Sequence, residues 1–382
     1  MTKNKKGNSI DILILSDNGL ETVGGEQEST KIIINGVKDE FKLGVIQPGK
    51  VENKSSNVKY YDMTEKTRIK HLIKNPFAFI NYINNVRKII KKDKPRIIHT
   101  QAQVSFFIVG LLSKLKLIPK SIEFIHTERG LYTKYNTFFK RLFIFFMKEL
   151  NTLVTTTEFN MKHWKQALKG KGYPKNFTII ENTAGELFET YDPSRKRKDD
   201  GKFVLGFAGR YADWKNWPLA VEISEKLKDK IGDNLVVKMA VGCLDESSLK
   251  ATKEMFNYMS KLLDDNFEGQ INMTLEEMDQ FYYDLDAFIL TSDYNTESFG
   301  RTLVEAMSRK VVVLSTNAGG PVEIIRNTKN ILKNSDEFIN RLMIFYKNKS
   351  MLHSETCRNQ QIVESYYSLE NNITKHKSLY RM

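Results

Sequence analysis

Short runs rich in β-branched residues alternate with helical patterns along nearly the whole of this 382-residue chain. In the first half they predict strands at residues 10–15, 43–47, 96–100, 122–127, 152–156 and 178–181. In the second half they predict strands at residues 203–209, 235–241, 287–291 and 311–315. Strands that alternate with helices form parallel sheets with helices packed on their faces. The sequence therefore predicts an α/β fold.

The length of the chain and a break in its hydrophobic pattern predict two domains. A chain of this length exceeds what one hydrophobic core usually supports. From Asp192 onward the apolar signal gives way to a charged, turn-forming stretch. We therefore predict a first domain at residues 1–190, a linker at 191–202 and a second domain at 203–350. The last predicted element, at 351–382, is a helix that packs back toward the first domain.

Positive charge is concentrated in the first half of the chain. Residues 1–190 contain 32 Lys and Arg against 18 Asp and Glu, whereas the remainder contains 27 against 28. Such a surface favours an anionic partner, which leaves open a phosphorylated substrate, an acidic membrane and nucleic acid. Nucleic-acid binding would need aromatic and basic residues interleaved along a groove, and no such motif is evident in the sequence.

The cysteines and the apolar segments bear on the cellular compartment in which the protein is expected. Cys243 and Cys357 lie far apart without metal-ligand or redox spacing, so a reducing environment is expected. The apolar run at 10–15 is too short for a signal-peptide core or a membrane span, which predicts a cytoplasmic protein. The Phe-rich, basic stretch at 138–148 favours either a peripheral helix on the cytoplasmic face of an anionic membrane or a helix buried between the domains.

The clearest candidate site follows the predicted strand at 287–291. Two carboxylates, Glu297 and Glu305, flank the segment Ser298, Phe299 and Gly300, which precedes a predicted helix. Backbone N–H groups at a helix N-terminus suit an anionic ligand, and carboxylates accept hydrogen bonds from sugar hydroxyls. On spacing alone, an ordinary surface helix with a solvated Glu305 is the alternative.

A second group of residues lies at the end of the first strand of the second domain. Gly209 and Arg210 end this strand, and Lys215 follows five residues later. Two cations on one short loop can neutralise a diphosphate leaving group. Both groups follow strands of one predicted domain, and ligands bind open parallel sheets at the carboxyl ends of their strands. We therefore predict that the two groups form one site.

With these residues taken together, the sequence resembles glycosyltransferase family four, the retaining enzymes with the GT-B fold. The resemblance covers nearly the whole chain and includes Gly24 and Gly25 after the first strand, His126, Glu158 and Asn182. It implies two Rossmann-like domains whose parallel sheets face each other across a deep cleft. It also implies a role in bacterial cell-surface polysaccharide assembly.

The resemblance assigns roles to the residues of the second domain. It implies that Arg210 and Lys215 hold the donor phosphates and that Glu305 binds the nucleotide ribose. Glu297 and the backbone amides of residues 298–300 would hold the transferred sugar. No metal and no cofactor are expected, because the two cations already supply the positive charge.

The resemblance also assigns roles in the first domain. Gly24 and Gly25 would let the first loop approach the donor pyrophosphate across the cleft, since neither has a side chain. His126 would lie against the reacting sugar and stabilise positive charge on the anomeric carbon. Retaining members are thought to react on one face of the sugar, where the leaving phosphate helps to deprotonate the acceptor, so no general base is assigned.

These assignments predict a retaining, metal-independent hexosyltransferase. It would move a hexose or N-acetylhexosamine from a nucleotide diphosphate sugar, with UDP as the expected nucleotide, to a lipid-linked or polysaccharide acceptor in cell-envelope glycan synthesis. A GT-B-shaped nucleotide-sugar epimerase or phosphorylase is an alternative, and a basic nucleic-acid-binding protein is a further one.

Two features depart from the family pattern or compete with it. Relatives usually carry Gly, often with Pro, where Arg309 and Lys310 follow the predicted helix here. Asp284 and Asp286, one residue apart, match the two-carboxylate metal motif of the other large glycosyltransferase fold. We interpret this pair as a junction between a helix and a buried strand.

Overall fold

The computed structural model describes residues 10–22, 24–51 and 54–382, and it divides the chain into two units. Unit 1 comprises Met1–Glu181 and Glu370–Met382, and unit 2 comprises Asn182–Leu369. Each unit is built on one parallel sheet with helices packed against it. The predicted α/β class with two Rossmann-like domains is confirmed.

Unit 1 contains seven parallel strands in the order β3-β2-β1-β4-β5-β6-β7. Most of them are short apolar runs that are fully buried, because helices cover both faces of the sheet. The strand bounds are β1 Ile12–Leu15, β2 Leu43–Gln47, β3 Val58–Asp62, β4 Ile97–Thr100, β5 Glu123–Glu128, β6 Thr152–Thr155 and β7 Asn176–Ile179.

The helices of unit 1 form two layers. One hydrophobic cluster joins the sheet to α3, α4, α5 and α6, and another joins the opposite face to α1 and the C-terminal helix. In chain order the first helices are α1 Gly25–Val37, α2 Lys70–Ile73, α3 Pro76–Asp93, α4 Gln103–Lys114, α5 Thr137–Met147 and α6 Glu158–Leu168.

Unit 2 contains six parallel strands in the order β10-β9-β8-β11-β12-β13. The strand bounds are β8 Phe203–Arg210, β9 Leu235–Gly242, β10 Phe267–Ile271, β11 Ala287–Leu290, β12 Val312–Thr316 and β13 Ile331–Leu332. The helices from here to the end of the chain are α7 Trp217–Ile231, α8 Glu246–Leu263, α9 Leu275–Tyr283, α10 Arg301–Ser308, α11 Gly320–Ile325, α12 Ser335–Lys347, α13 Lys349–Ile362 and α14 Leu369–Arg381.

The boundary between the units lies at Glu181 and Asn182 rather than at the predicted linker of residues 191–202. The charged stretch belongs to unit 2 because its cations are paired there. The Arg195 guanidinium contacts Asp279 at 2.6 Å, and Arg197 contacts Asp286 at 2.9 Å. The charged stretch, which the sequence predicts to be solvated, is therefore held by α9 and by the junction between α9 and β11.

The helix predicted at the C-terminus is interrupted. A π-helical turn at Val363–Tyr367 and an extended Ser368 separate α13 from α14, which packs in unit 1. Its Tyr380 is fully buried, and the hydroxyl lies 2.6 Å from His99 Nδ1 on β4. Among the described residues, none of the helices is both long and apolar enough to cross a bilayer.

Two buried histidines lie close together where α14 packs in unit 1. His376 on α14 lies 6.3 Å from His99 between ring centroids, and both are buried. Burial lowers the pKa of His376 to about 4, and burial, helped by the nearby His376 and Arg129, lowers the pKa of His99 well below its usual range. Both rings are therefore neutral in folded unit 1 near pH 7.

We expect the stability of unit 1 to fall as the pH falls from about 6.5 toward 4. Over this range the histidines of the unfolded chain bind protons, whereas the buried rings of the folded chain stay neutral. Protonation of the unfolded chain therefore lowers the free energy of unfolding, by roughly 2–3 kcal/mol for His376 alone. The measurement is the Tm of the wild type and of His376→Gln between pH 7.5 and 4.5. Burial also raises the pKa of Asp17 to about 6, which acts in the opposite direction, so the difference between the two curves isolates the histidine.

The exposed His71 on α2 provides the matched control. His71→Gln should keep the wild-type slope, whereas His376→Gln should flatten it. Parallel Tm curves for the wild type and His376→Gln would show that this ring does not resist protonation in the folded state.

Candidate functional site

The order of the strands in unit 2 reverses between β8 and β11. From β8 the chain moves outward to β9 and β10, then returns to place β11 on the other side of β8. Loops that leave neighbouring strands in opposite directions open a crevice at the carboxyl ends of the strands, where ligands of such sheets bind. Arg210 ends β8, and the segment that contains Glu297 follows β11. The two predicted groups thus meet at this switch point.

The loops after β8 and β11 are tied together. Thr291 Oγ1 donates to the Lys215 carbonyl at 2.7 Å, and the Asp293 amide donates to the Trp214 carbonyl at 2.8 Å. Asn216, the N-cap of α7, also donates from its side chain to Asp293 at 3.1 Å. These three bonds hold the two loops as one surface.

An ion pair lies at the centre of this surface. Lys215 Nζ is 2.8 Å from Glu297 Oε1, and the side chains are only 15% and 16% exposed. Ser292 Oγ donates to the same carboxylate oxygen at 2.8 Å. The stem of Lys215 runs along Gly209, where an added Cβ would lie 3.4 Å from the lysine Cε. The predicted convergence of Lys215 and Glu297 is therefore present in the structure.

Arg210 is placed differently from Lys215. Its side chain is exposed at the end of β8, while its carbonyl accepts a hydrogen bond from the Trp217 indole at 3.2 Å. The guanidinium makes no hydrogen bond or ion pair with the residues that the structure describes. This cation can therefore reach an anionic ligand without first breaking an interaction within the chain.

The segment between the two carboxylates begins α10, as predicted. Gly300 is the N-cap with φ of 102°, in the left-handed region that favours glycine. The Phe299 side chain is buried and packs edge-on against Tyr367 at 5.8 Å, so it anchors the segment. At Gly320 an added Cβ would lie 2.3 Å from the Ser298 carbonyl oxygen. Two glycines and one buried ring thus fix the backbone beside Glu297.

Glu305, which the resemblance assigns to the nucleotide ribose, is almost fully buried. It is 6% exposed on α10, where Oε2 accepts from the Tyr282 hydroxyl at 2.9 Å and Oε1 pairs with Arg301 Nε at 2.9 Å. Burial, and then the neighbouring carboxylate, raise the pKa of Tyr282 well above its usual range, so this hydroxyl stays a donor. Contact between Glu305 and a ribose remains a proposal, and in this structure the residue fixes α10.

His126 does not lie at a surface of unit 1. Its ring on β5 is fully buried and stacks on Phe106 at 4.5 Å. Nδ1 is 2.9 Å from Thr100 Oγ1, and Nε2 is 3.3 Å from Glu128 Oε2. Both ring nitrogens therefore have partners in the interior, and contact between His126 and a sugar stays a prediction.

Gly24 and Gly25 lie where the predicted first loop meets α1. Gly24 is the N-cap of this helix in an extended conformation, and Gly25 is its first residue. An added Cβ at Gly24 would lie 2.4 Å from Gln27 Oε1, whereas one at Gly25 would meet no atom within 4 Å. Gly25 therefore leaves open space beside the backbone, as a close approach by a ligand would require.

The competing carboxylates Asp284 and Asp286 lie between α9 and β11, so the predicted junction is confirmed. Asp286 Oδ2 accepts from Arg197 at 2.9 Å and from the Val204 amide at 2.8 Å. Asp284 pairs with Lys238 at 2.9 Å. Each carboxylate is thus neutralised by a cation of unit 2.

Several residues of the site carry no sequence signal of their own. Ser292 and Tyr282 reach the two carboxylates from elements that only the fold brings near them. Arg301 could have been found, because residues four apart on a helix are neighbours and Glu305 is its partner. Its guanidinium also donates to the Ala184 carbonyl at 2.7 Å.

Comparison with protein-family models covers most of the chain. Residues 189–361 match the model described as "Glycosyl transferases group 1", and residues 30–173 match "Glycosyl transferase 4-like". Among solved structures, Anabaena HepE in complex with UDP is similar over 98% of this chain and 100% of its own, with a TM-score of 0.76 at 16% identity. This similarity shows the fold, GT-B.

Two curated proteins are similar to parts of the chain. A 2-deoxystreptamine N-acetyl-D-glucosaminyltransferase of Niallia circulans is 30% identical over 128 residues, 32% of this chain and 30% of that protein. A GDP-Man:Man(3)GlcNAc(2)-PP-Dol alpha-1,2-mannosyltransferase of Caenorhabditis elegans is 29% identical over 158 residues, 40% of this chain and 31% of that protein. The matches span less than a third of these relatives.

Proposed function

Because the chain belongs to the family-four type of glycosyltransferases, we propose that it transfers a sugar from a nucleotide diphosphate donor with retention of the anomeric configuration. The donor diphosphate binds beside Arg210 and Lys215, at the switch point of unit 2. The transferred sugar is a hexose or N-acetylhexosamine, and UDP is the nucleotide. The acceptor is a lipid-linked or polysaccharide glycan of the cell envelope.

The observation that carries this proposal is the Lys215–Glu297 pair. A lysine 2.8 Å from a carboxylate, both mostly buried, is a preorganised charge at the carboxyl end of a parallel strand. Negative charge builds on the diphosphate as its bond to the sugar breaks, and a fixed cation stabilises this charge without reorganising. The exposed Arg210 supplies a second cation with planar geometry suited to phosphate oxygens.

Glu297 has a different part in this proposal. It accepts hydrogen bonds from the hydroxyls of the transferred sugar, while Lys215 and Ser292 hold its carboxylate in place. The bond from the anomeric carbon to the diphosphate oxygen breaks, and its electron pair stays on the diphosphate. The acceptor oxygen bonds to the same face of that carbon, and its proton goes to the leaving phosphate. The proposal assigns no metal, because Lys215 and Arg210 stabilise the negative charge that develops on the diphosphate.

Support for the donor and the acceptor comes from the names of similar proteins. HepE is described in complex with UDP, the mannosyltransferase by a GDP-linked donor and a dolichol-diphosphate acceptor, and the Niallia protein as an N-acetylglucosaminyltransferase. Two of these names contain a nucleoside diphosphate, with uridine in one and guanosine in the other, and two contain a sugar, mannose in one and N-acetylglucosamine in the other. UDP and the envelope acceptor are therefore the parts of the proposal to test first.

A panel of nucleotide sugars, screened in the presence of EDTA, tests the proposal. We expect one uridine nucleotide sugar to raise the Tm by several degrees at concentrations far above its Kd and to be hydrolysed slowly. Product analysis by NMR separates the alternatives: an epimerase yields an isomeric nucleotide sugar, and a phosphorylase releases a sugar phosphate only with phosphate present. Absence of stabilisation by every nucleotide sugar would contradict the proposal.

A further inference from the structure

One face of α5 carries an exposed stripe of alternating aromatic rings and cations. Phe138, Arg141, Phe145 and Lys148 are spaced by three, four and three residues, which places them along one side of the helix. All four are exposed, with Phe138 at 65% and Phe145 at 51%. Large aromatic side chains exposed in a row are unusual on a protein surface and indicate a contact with something apolar.

The opposite face of α5 explains why the helix holds this orientation. Phe143 and Met147 are fully buried in unit 1, and Phe143 packs edge-on against Trp164 at 4.9 Å and stacks on Phe106 at 5.5 Å. The side chain of the N-cap Asn136 accepts a hydrogen bond from the Phe139 amide at 2.9 Å. The helix is thus fixed by its core contacts, and the exposed stripe is not the result of a loosely packed element.

The end of α4 extends the stripe. Leu115 is 58% exposed, and the flanking Lys114 and Lys116 are also exposed. Lys114 Nζ lies 4.2 Å from the centre of the Phe145 ring, so the two helices form one continuous surface. We call this surface, made of Lys114, Leu115, Lys116, Phe138, Arg141, Phe145 and Lys148, the α4–α5 face.

The positive charge of the α4–α5 face indicates which kind of apolar partner it would bind. It contains four cations, and the nearby carboxylate of Glu149 is already engaged by Ser113 at 3.0 Å and Lys114 at 3.8 Å. Residues 1–190 as a whole carry 32 basic against 18 acidic side chains. Rings that can enter the acyl boundary, surrounded by long basic side chains that can reach phosphates, match the interface of an anionic bilayer.

We propose that the α4–α5 face docks on a phospholipid bilayer that contains anionic lipids. Phe138, Phe145 and Leu115 insert among the acyl chains near the headgroups, and the surrounding cations contact the lipid phosphates. The inference goes beyond the proposed transfer reaction and does not depend on it, because docking requires neither donor nor acceptor.

Vesicle flotation with the full chain tests the proposal without nucleotide sugar. We expect the wild type to float with phosphatidylglycerol–phosphatidylcholine vesicles at moderate salt and to stay behind with pure phosphatidylcholine. Phe138→Ala with Phe145→Ala should lower the partition coefficient at least about tenfold, from the lost apolar insertion. Arg141→Glu with Lys148→Glu should lower it about 30-fold or more, since each cation near an anionic surface contributes severalfold.

Matched controls lie on unit 2. Leu244 is an exposed apolar residue, and Lys250 and Lys253 are exposed cations of α8. Leu244→Ala, and Lys250→Glu with Lys253→Glu, should keep wild-type flotation. If the partition coefficient fell as much in these controls as in the variants of the α4–α5 face, binding would not depend on that face, and the proposal would be overturned.

Two other results would overturn the proposal. One is flotation that is unchanged in both stripe variants while their Tm values stay at the wild-type level. The other is a dimer in sedimentation that dissociates in Phe138→Ala with Phe145→Ala, in a protein that does not float, which would assign the face to a second copy of the chain. Failure of the donor panel would leave the flotation result unaffected, so the two proposals can fail separately.

Discussion

Lys215→Ala should lower kcat/KM for the donor by about 10²–10³-fold. Removing one preorganised group that stabilises developing negative charge typically costs about 2.7–4 kcal/mol of transition-state stabilisation. Lys215 fits this description, because it is 15% exposed and held 2.8 Å from Glu297. The measurement is the steady-state rate of donor hydrolysis or transfer, with EDTA present and with donor concentrations that span KM.

Controls separate this effect from loss of structure. Lys226→Ala removes a half-buried lysine that pairs with Glu222 and Asp336 on unit 2, away from the loops after β8 and β11, and it should leave the rate unchanged. Lys215→Arg keeps the charge and should retain part of the activity. Because Lys215 and Glu297 contact each other, the double variant with Glu297→Gln should lose less than the product of the two single losses. Near-wild-type activity of a folded Lys215→Ala protein would refute the assigned site.

Arg309→Ala should destabilise unit 2 by about 3–5 kcal/mol, the usual cost of removing one partner from a buried ion pair. Arg309 is 1% exposed, and its guanidinium pairs with the buried Asp279. It also donates to the carbonyls of Phe188 at 3.1 Å and Leu187 at 2.6 Å. The variant would therefore leave a buried carboxylate with less compensation and two carbonyls without a donor. By calorimetry, the Tm of unit 2 should fall by roughly 6–20 °C.

The neighbouring Lys310 is the control for Arg309. Its ammonium lies 4.6 Å from the centre of the half-buried Tyr191 ring, a contact that contributes little where water has access. Lys310→Ala should therefore shift the Tm by only a few degrees. Replacing both members of the buried pair, Arg309→Met with Asp279→Leu, should be milder than Arg309→Ala. A Tm change below about 2 °C in Arg309→Ala would refute the role given to this pair.

Arg309 also shows how a departure from the family pattern can be explained only in three dimensions. The resemblance to family four implies glycine at this position, and nothing near Arg309 in the sequence suggests a partner. In the structure it joins α10 to α9 and to the segment at 187–188, which leads from the unit boundary to β8. The same contacts explain why the predicted linker lies inside unit 2.

Strands were predicted from sequence where both faces of the sheet are covered. β2 matches its prediction, and β8 differs from it by one residue, since these strands are continuous buried apolar runs. The pattern missed β3, β10 and β13. β3 and β10 are edge strands with exposed residues, and β13 has only two residues. None of the three therefore contains a continuous apolar run by which it could be told from a loop in the sequence.

For the candidate site, sequence reasoning succeeded where position along the chain determines position in space. Arg210 and the Glu297 segment each follow a strand, and parallel strands bring their carboxyl ends to one edge. For His126 the sequence could not show whether the ring faces the interior or the surface, which depends on the neighbouring Phe106 and Thr100, and its contact with a sugar stays a prediction. The burial of Glu305 could likewise not be predicted from the sequence, because its partner Tyr282 lies on another helix.

The most direct test of the proposed function is a crystal structure of this protein with UDP bound in the presence of EDTA. We expect the diphosphate oxygens to lie within hydrogen-bond distance of Lys215 Nζ and the Arg210 guanidinium, beside the segment that begins α10. A diphosphate bound elsewhere, with Lys215 contacting only Glu297 and Arg210 still directed to solvent, would contradict the proposed donor site.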